Sequence, residues 1–390
     1  MNVNLPSTIR KMNKEIVLNI IKDLGPLSRS EIAKHSGITK ATISEIVKEL
    51  IDENLIYDEK DDADASKRGT NLHFSKNATY GIAIDLGGTS IHLGMFNLAG
   101  ECFFEQTVPT YDLETSHEFL DQMAADLKHF IQQSGHPIER LSFISIATPG
   151  IVDQAAGVVL EGSPNLPEWK DIHLGQYFRD VFQVSVTIEN DVRAALVGEM
   201  YSGAFKDLNS AVLIGIGTGL GSAMFIDGKV IRGSHNAAGE IGYMVVHRDQ
   251  MYAPSAKGHL EMSCSGSGIE DAAFSLYKRR MSAKEVFQQA KQGDLQAKYL
   301  VDKFEDHLSM GILNMIALIN PEKILLMGGV TKSISLDQII RKVKLHTTEV
   351  TDVSIEISKL QHHSALQGIA ILGLNQAYPT LQFLKDKQLY

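Results

Sequence analysis

Residues 84–90 read Ile-Asp-Leu-Gly-Gly-Thr-Ser, and this short stretch decides how the rest of the chain is interpreted. It opens an alternating apolar run through Ile91, Leu93 and Met95, which predicts a strand directly after the glycines. A dinucleotide-binding fold or a Walker loop would place a helix there instead. The order of strand, glycine-rich turn and strand therefore indicates a hairpin and argues against both of those nucleotide sites.

The order of elements resembles the hairpin phosphate loop of actin-like sugar kinases. The resemblance implies that backbone N–H groups approach a phosphate where the glycines leave room, and that the Asp85 carboxylate helps to hold a hydrated Mg²⁺. An ordinary hairpin turn explains the same residues equally well. A second run, residues 215–221, has glycine at four alternate positions and again leads into a strand. Glycine is costly inside a strand unless something approaches the backbone, so the pair predicts a clamp around nucleotide phosphates. The predicted phosphate loops comprise Asp85, Gly87, Gly88, Thr89, Gly217, Thr218 and Gly219.

The composition is that of a globular protein of 390 residues, long enough for about two or three domains. Hydrophobic residues make up 44%, and no apolar run approaches the ~18 residues of a membrane helix. The two cysteines form no disulfide framework, which favours a reducing cytoplasm. The net charge of −10 argues against a protein that coats nucleic acid with its whole surface. It is compatible with one small DNA-reading module on an acidic body.

The first 60 residues have the pattern of an all-α DNA-binding domain with a wing. Residues 17–24 place apolar side chains at helical spacing, and Ser28 begins a capping box for a second helix. Thr39 can cap a third helix, whose inward residues repeat the apolar stripe. Residues 55–57 then predict a strand that enters a polar hairpin. Three helices followed by a strand pair form a winged helix-turn-helix.

The outward side chains of the third helix form the predicted DNA-reading surface. Short polar residues there can reach base edges, while basic residues such as Lys34 can contact phosphates. The wing, residues 58–64, is strongly acidic, so little wing contact with DNA is expected before Lys67 and Arg68. A small three-helix interaction module is the alternative interpretation. The predicted DNA-binding residues are Arg29, Thr39, Lys40, Thr42, Ser44, Lys48, Lys67 and Arg68.

Residues 61–77 are polar and predict a wing and interdomain linker, after which buried strands alternate with helices in an α/β body. The first lobe of this body is assigned to residues 78–190, to which residues 370–390 return, and the second lobe to residues 191–369. The predicted strands are 82–84, 141–146, 184–188, 211–216 and 323–326, and the predicted helices are 115–134, 191–201, 266–280, 283–309 and 336–348.

Asp191 stands where the strand at 184–188 leads into a helix. A carboxylate at the end of a strand in a cleft can act as a general base for a sugar hydroxyl that attacks a γ-phosphate. Asn190 and Asp191 are also good N-cap residues, and the local sequence alone favours that structural role.

Taken in order, these motifs resemble the ROK family (repressors, open reading frames and sugar kinases), specifically its repressor branch with an N-terminal helix-turn-helix. The matching stretches are residues 85–89, 147–153, 163–166, 190–191, 215–221, 238–242, 258–261 and 320–322. The resemblance implies an actin-like ATPase (ribonuclease H-like) fold with two lobes, the α/β fold of sugar kinases, behind the DNA-binding domain. It also implies a sugar site, with Asp191 in the position of the kinase base, and places Gly328 and Gly329 near an adenosine pocket. The implied sugar ligands are Asn165, Asn190, Asp191, Glu240 and Glu261.

The chain departs from the family pattern at a structural zinc site. Tyr243 holds the position of the family's histidine, and Tyr252, Pro254 and His259 hold the positions of its cysteines. One nitrogen donor without a thiolate does not complete a tetrahedral zinc site, so no metal is expected. No cofactor is expected to be required, and binding of ATP with Mg²⁺ stays open. Arg193 replaces an asparagine beside Asp191 and can pair with a carboxylate or with an anionic effector.

The favoured hypothesis is a sugar-responsive transcriptional repressor of carbohydrate-utilisation genes with a kinase-like sensor body that is not an enzyme. It would be a cytoplasmic homodimer that reads a pseudopalindromic operator and binds a sugar or sugar phosphate between its lobes. The alternative is an ATP-dependent sugar kinase with Asp191 as its base, against which the N-terminal module, Tyr243 and Arg193 argue. A scaffold without small-molecule binding would leave the sugar-site residues without a purpose.

Overall fold

A computed structural model describes residues 5–60, 70–162, 166–247, 258–384 and 387–389 of the chain. The N-terminal helices are α1 (Leu5–Leu24), α2 (Arg29–Ser36) and α3 (Lys40–Asp52), and the strand pair β1 (Ile56–Lys60) and β2 (Thr70–Phe74) follows them. Within the described ranges, no helix combines the length and the apolar character needed to cross a bilayer.

The N-terminal helices close around an apolar core that continues into the strand pair. Ser28 forms the predicted capping box with Glu31, and Thr39 caps α3. Gly37 ends α2 at a φ of 71°, a left-handed conformation that glycine adopts without strain, so that α3 begins three residues later. This is the tight turn of a helix-turn-helix. The core residues, each at most 6% exposed, are Val17, Leu18, Ile21, Ile32, Ile43, Ile46, Val47, Leu50, Leu55, Ile56 and Leu72.

The first five-stranded sheet has the order β5-β4-β3-β6-β9. Strands β3, β4 and β5 form an antiparallel meander, and β6 and β9 add to it in parallel. Helices α4 and α5 bury their apolar faces against one side of this sheet. The elements are β3 (Tyr80–Leu86), β4 (Ser90–Asn97), β5 (Cys102–Pro109), α4 (Ser116–Ser134), β6 (Leu141–Thr148), the hairpin β7 (Ile151–Asp153) and β8 (Val158–Glu161), α5 (Leu174–Phe182) and β9 (Ser185–Asn190).

The second five-stranded sheet, in the order β12-β11-β10-β13-β14, repeats this topology: an antiparallel meander is followed by two parallel strands. Helices α7 to α11 pack on its outer side. The elements are α6 (Asp191–Ser202), β10 (Ala211–Ile216), β11 (Leu220–Ile226), β12 (Lys229–Val230), α7 (His259–Cys264), α8 (Gly266–Tyr277), α9 (Ala283–Lys291), α10 (Leu295–Ile319), β13 (Lys323–Met327), α11 (Leu336–Lys344), β14 (Ser354–Ile357) and α12 (His362–Ala377).

Helices α6 and α12 form the layer between the two sheets. Their apolar residues share one core with Phe143 of the first sheet and Phe225 of the second. The helices touch backbone to backbone: a Cβ on Gly198 would lie 2.0 Å from the Ser364 carbonyl oxygen, and one on Gly368 would lie 1.8 Å from that of Ala194. The start of α6, which carries Asp191, is therefore fixed between the lobes.

The predicted α/β body behind a winged helix-turn-helix is confirmed. The single helix predicted over 283–309 is wrong, because Gly293 has a φ of 97° and Asp294 caps a new helix by accepting a hydrogen bond from the Ala297 N–H. The resulting elements are α9 and α10. Helices α5, α7 and α12 were absent from the sequence prediction, and the predicted limits of the two lobes stay a prediction.

Candidate functional site

The first glycine-rich stretch is the turn between β3 and β4. Gly87 donates its N–H to the Ser90 carbonyl oxygen at 3.0 Å, and a Cβ on Gly87 would lie 2.8 Å from that oxygen. Thr110 braces the turn by donating its hydroxyl to the Gly87 carbonyl at 2.7 Å and its N–H to the Thr89 carbonyl at 3.2 Å. The exposed tip, Gly88 and Thr89, presents backbone to the surface, as a phosphate loop requires.

The second glycine-rich stretch is the corresponding turn of the second sheet, between β10 and β11. Gly217 donates its N–H to the Gly219 carbonyl at 3.1 Å. The first turn of α8 holds this loop, because the Gly266 N–H donates to Gly217 at 2.8 Å and the Ser267 N–H donates to Thr218 at 3.1 Å. The structure thus places both predicted loops on equivalent hairpins, each between two interior strands of its sheet.

Gly328 and Gly329 follow β13 behind the second loop. Gly328 has a φ of 102°, and a Cβ there would lie 2.5 Å from the Ile216 carbonyl oxygen. Glycine at 328 therefore has a packing reason of its own. The predicted adenosine pocket at these residues stays a prediction.

Asp85 and Asp191 bring two carboxyl groups together between the lobes. Desolvation raises the pKa of Asp85 to about 7, and the charge of Asp191 adds to the rise. Desolvation also raises the pKa of Asp191, against the opposing effects of the Val192 N–H and of the Arg193 charge. Two desolvated carboxyls that repel one another carry less than two full charges near neutral pH, which suits a site that exchanges hydrogen bonds with hydroxyl groups.

Asn190 performs the structural role that the local sequence assigned to the Asn-Asp pair. Its Oδ1 accepts the N–H groups of Val192 and Arg193 at 3.0 Å, and its Nδ2 donates to the Gly150 carbonyl at 3.0 Å. The same Nδ2 donates to Asp191 Oδ1 at 3.1 Å. The cap is thus made by Asn190, which also orients the Asp191 carboxylate.

Glu240 and Glu261 approach Asp191 from the second lobe. Desolvation raises the pKa of Glu240; the Arg193 charge opposes the rise, and the charges of Asp191 and Glu261 add to it. Glu261 lies on α7, and its Oε2 accepts the Leu220 N–H beside the second glycine loop at 3.5 Å. Of the predicted sugar ligands, Asn190, Asp191, Glu240 and Glu261 therefore converge on one cleft. The fifth predicted ligand, Asn165, lies outside the described residues.

Sequence reasoning missed a buried ionic cluster behind this cleft. Arg193 Nε pairs with Glu189 Oε1 at 2.9 Å, and Arg193 Nη1 donates to the Asn236 carbonyl at 3.0 Å. Arg232 Nη1 contacts the other Glu189 oxygen at 2.5 Å. Of the two partners that the sequence left open for Arg193, the structure shows a carboxylate. The four-residue spacing of Glu189 and Arg193 was the available signal.

The donors at the family's zinc position do not fit a zinc ion. Tyr243 is 60% exposed and offers neither imidazole nor thiolate. Cys264 is buried, with its thiol donating to the Phe304 carbonyl at 3.4 Å, and Cys102 lies on β5. Among the described residues there is no group of three or more His, Cys, Asp or Glu that could hold a metal ion. Tyr252 and Pro254 lie outside those residues, so the absence of a metal stays a prediction.

The outward face of α3 carries the predicted DNA-reading side chains. Thr39, Lys40, Ser44 and Lys48 are exposed, and Thr42 is half-buried beside the Thr39 cap. Such a face can enter a major groove with its N-terminal end.

Other charges near this face are already paired inside the domain. Glu45 lies 3.6 Å from Arg10 of α1, whose positive charge offsets part of the repulsion between Glu45 and DNA. Arg29, a predicted DNA-binding residue, pairs with Asp58 at the start of the wing at 3.4 Å. The acidic wing therefore repels DNA less at Asp58 than its sequence predicts. Lys67 and Arg68 lie outside the described residues.

The comparisons with known proteins follow the same division of the chain. The ROK family matches residues 81–376, and the MarR family matches residues 16–65. The xylose repressor of Caldicellulosiruptor bescii is 25% identical over 381 residues, which cover 92% of this chain and 94% of that protein. Among solved structures, a ROK family transcriptional regulator, a homologue of the E. coli MLC protein, has a TM-score of 0.79 at 25% identity and covers 97% of this chain and 98% of its own.

A ROK family glucokinase from Streptomyces griseus, solved with glucose and AMPPNP, has a TM-score of 0.64 at 24% identity. It covers 75% of this chain and 99% of its own, and so shows the sugar-kinase fold of the body. The repressor and the regulator extend over nearly the whole chain, including the helix-turn-helix. With both sheets and the cleft inside the matched range 81–376, the chain belongs to the ROK family.

Proposed function

We propose that this chain is a sugar-responsive transcriptional repressor that acts in the cytoplasm on carbohydrate-utilisation genes. One observation carries the proposal: an exposed helix-turn-helix face stands on the same chain as a cleft in which Asn190, Asp191, Glu240 and Glu261 converge. Full-length similarity to a xylose repressor supports it. A homodimer would match the two-fold symmetry of a pseudopalindromic operator.

The mechanism follows from the position of the sugar ligands. Asp191 begins α6, the helix shared by both lobes, whereas Glu240 and Glu261 belong to the second lobe. Sugar hydroxyls that bridge these carboxyls favour one degree of lobe closure over another. Operator affinity then changes by the ratio of the sugar's affinities for the two closure states, and a tenfold change requires about 1.4 kcal/mol.

A sugar kinase is the second candidate, because both glycine loops persist and Asp191 keeps the base position. No cofactor is required for the repressor function. Asp85 and the two loops fit Mg²⁺ and nucleotide phosphates in donor type, so a turnover assay separates the candidates. We expect no sugar-dependent release of ADP above that of an Asp191→Asn variant, and release abolished by this substitution would establish a kinase.

The decisive experiment is fluorescence anisotropy of the purified chain with DNA from upstream of its own and adjacent genes, at fixed salt. The panel of sugars would contain D-xylose, D-glucose, N-acetylglucosamine and the 6-phosphates of the two hexoses. We expect one of these to change operator affinity at least tenfold. Failure to bind any of this DNA would overturn the proposal.

Trp169 offers an independent measure of sugar binding, because it is the single tryptophan of the chain. It is 3% exposed and donates its Nε1–H to the Thr148 hydroxyl at 3.0 Å. A Cβ on Gly162 would lie 1.8 Å from the Trp169 carbonyl oxygen, so Trp169 packs directly against the residue that precedes 163–165. Thr148 pairs with Asn190 across β6 and β9, so Trp169 fluorescence reports on this side of the cleft without any DNA.

Asp191→Asn should weaken sugar binding about 10- to 100-fold, because a hydrogen bond to a charged group contributes ~1.5–3 kcal/mol. Titration of Trp169 fluorescence measures this change. Asp207→Asn is the matched control, since Asp207 is an exposed loop carboxylate away from the cleft. If both variants bind the sugar with equal affinity, Asp191 does not contact the sugar.

A further inference from the structure

Arg193, two residues after Asp191 in the first turn of α6, has an unsatisfied donor. Its Nη2 is buried and has no hydrogen-bond partner among the described residues, although Nε and Nη1 are both bonded. The residue is 2% exposed, so an acceptor reaches Nη2 only when the guanidinium or its neighbours shift. A buried donor left unpaired costs about 1–3 kcal/mol, and more on a charged group. Such a group in a native fold requires an explanation.

The surroundings of this donor identify the kind of ligand that can complete it. Desolvation raises the pKa of both Asp191 and Glu240, and the charge of Arg193 opposes each rise, so the guanidinium lies near two of the predicted sugar ligands. Glu161 and Glu261 add further negative charge around Glu240. An anionic group would be repelled by these carboxyl groups. A neutral hydroxyl can accept a hydrogen bond from Arg193 through its oxygen and donate its O–H to a carboxylate. The chemistry favours a sugar hydroxyl.

The bonded Nε of Arg193 connects this residue to Glu189 and, through Glu189, to Arg232. Glu189 is fully buried between Arg193 and Arg232, with one carboxylate oxygen bonded to each. Arg232 in turn donates its Nη2 to the Leu389 carbonyl at 3.0 Å. Two cations that share one buried carboxylate are sensitive to any change in the charge or position of either.

Leu389 belongs to a C-terminal tail, described at residues 378–384 and 387–389. Its far end adds to the edge of the second sheet: the Gln388 N–H donates to the Gly228 carbonyl at 2.8 Å and the Val230 N–H donates to the Gln388 carbonyl at 3.1 Å. Lys387 lies over the Phe225 ring at 5.2 Å. This end of the tail is therefore anchored next to Arg232.

The near end of the tail, residues 378–384, is hydrogen-bonded to the DNA-binding domain. Asn19 of α1 donates its Nδ2 to the Thr380 carbonyl at 2.8 Å and accepts the Gln382 N–H at 2.9 Å. The Phe383 ring packs between α1 and α6: its centroid lies 5.5 Å from Lys22 Nζ and 6.1 Å from the centroid of the Tyr201 ring. One short segment thus contacts the DNA-binding domain, the central helix and the edge of the second sheet.

We propose that Arg193, Glu189 and Arg232 form a relay that reports a sugar hydroxyl in the cleft to the C-terminal tail, and through Asn19 to the DNA-binding domain. The inference rests on the proposed function and names how that same site is regulated. A hydroxyl oxygen that accepts from Arg193 Nη2 shifts the guanidinium relative to Glu189. Arg232 then shifts its hydrogen bond to the Leu389 carbonyl, and the hydrogen bonds between the tail and Asn19 of α1 are weakened or strengthened as a result.

Hydrogen–deuterium exchange on the full chain, without sugar or DNA, tests the connection directly. In Arg232→Gln and Arg193→Gln, we expect peptides covering 14–24 and 378–384 to exchange at least threefold faster, and the peptide covering β10 to exchange as in the wild type. Lys342→Gln is the control, because its ion pair with Asp306 at 2.6 Å joins α11 to α10 on the outer side of the second sheet, outside the relay. Unchanged tail and α1 peptides would overturn the relay. A uniform rise in every peptide would do so too, since it indicates a purely structural role.

Asn19→Ala tests the last step, with D-xylose and N-acetylglucosamine as the probes. The variant should keep the Trp169 response and operator binding, but its ratio of operator affinities without and with sugar should fall at least threefold. A wild-type chain that binds neither DNA nor sugar would contradict the proposed function, and the exchange experiment would still decide whether Arg193 and Arg232 are coupled to the tail and α1. A responsive wild type with an equally responsive Asn19→Ala variant would refute the relay alone.

Discussion

The two five-stranded sheets have the same strand order, yet their inner hairpins differ at one pair of positions. In the first sheet the last ladder pair before the turn is Leu86 with Ile91, and the pair behind it is Asp85 with His92. In the second sheet the last pair is Ile216 with Leu220. The pair behind it, equivalent to Asp85 and His92, is Gly215 with Gly221.

The missing side chains of the second hairpin make room for α6. A Cβ on Gly215 would lie 3.2 Å from Val192 Cγ2, and one on Gly221 would lie 3.4 Å from the same atom. Val192 follows Asp191 in the first turn of α6, so the glycines allow this turn to lie flat against the second sheet. One hairpin supplies a carboxylate and the other supplies the space that positions a second carboxylate opposite it.

The largest effect is expected when the carboxylate of the first hairpin is copied into the second. Gly215→Asp forces a side chain against Val192 and desolvates a carboxyl, so the free energy of unfolding should fall by roughly 2–4 kcal/mol. Urea unfolding measures it. Gly217→Ala is the control, because a Cβ there meets no described atom within 4 Å. If Gly215→Asp lowers the free energy of unfolding no more than Gly217→Ala does, the close contact between Gly215 and Val192 is not needed for stability.

A smaller effect is expected in the pH dependence of stability of Asp85→Asn. The folded pKa of Asp85 is about 7, above its ordinary value of 3.8, so the folded state binds more protons than the unfolded state between these values. Its contribution to stability is therefore complete below about pH 4 and is lost as the pH rises through 7. The Tm of Asp85→Asn minus that of the wild type should grow from pH 5 to pH 8. A difference in Tm that stays constant across this pH range would contradict the assignment.

The smallest effects are expected at the exposed tips of the two loops. Thr89→Ala and Thr218→Ala should each change the free energy of unfolding by no more than about 0.5 kcal/mol, because both side chains are exposed. Both variants should keep the sugar response of Trp169, since the carboxyls of the cleft remain. Loss of the Trp169 response in either variant would indicate that the sugar binds at the loop tips and not at the carboxyl groups of the cleft.

Local signals made the N-terminal domain and the glycine loops predictable. The capping box at Ser28, the Thr39 cap and the buried stripe of α3 are each encoded within a few residues. Strands β3, β6, β9, β10 and β13 of the body were predictable for the same reason, because strands buried on both faces form continuous apolar runs. The edge strands β5 and β14 were not predicted.

Helix α12 escaped prediction for a physical reason. It is buried on all sides between the sheets, so its apolar residues show no 3.6-residue alternation with polar ones. It also contains Gly368 and Gly373, which lower helix propensity but permit close packing on Ala194 and Phe143. The Arg232 contact with Glu189 was equally out of reach, because 43 residues separate the partners and only the fold joins them.

The position of α12 in the chain has a consequence for synthesis on the ribosome. The first sheet is complete in sequence at Asn190, but one of its faces is covered only when residues 362–377 arrive. At about 5–20 residues per second, the roughly 170 residues between them take on the order of 10–30 s to translate. Throughout that interval the nascent chain carries a DNA-binding domain ahead of a half-covered sheet around Phe143. We expect chaperone binding to nascent chains to persist until α12 has emerged.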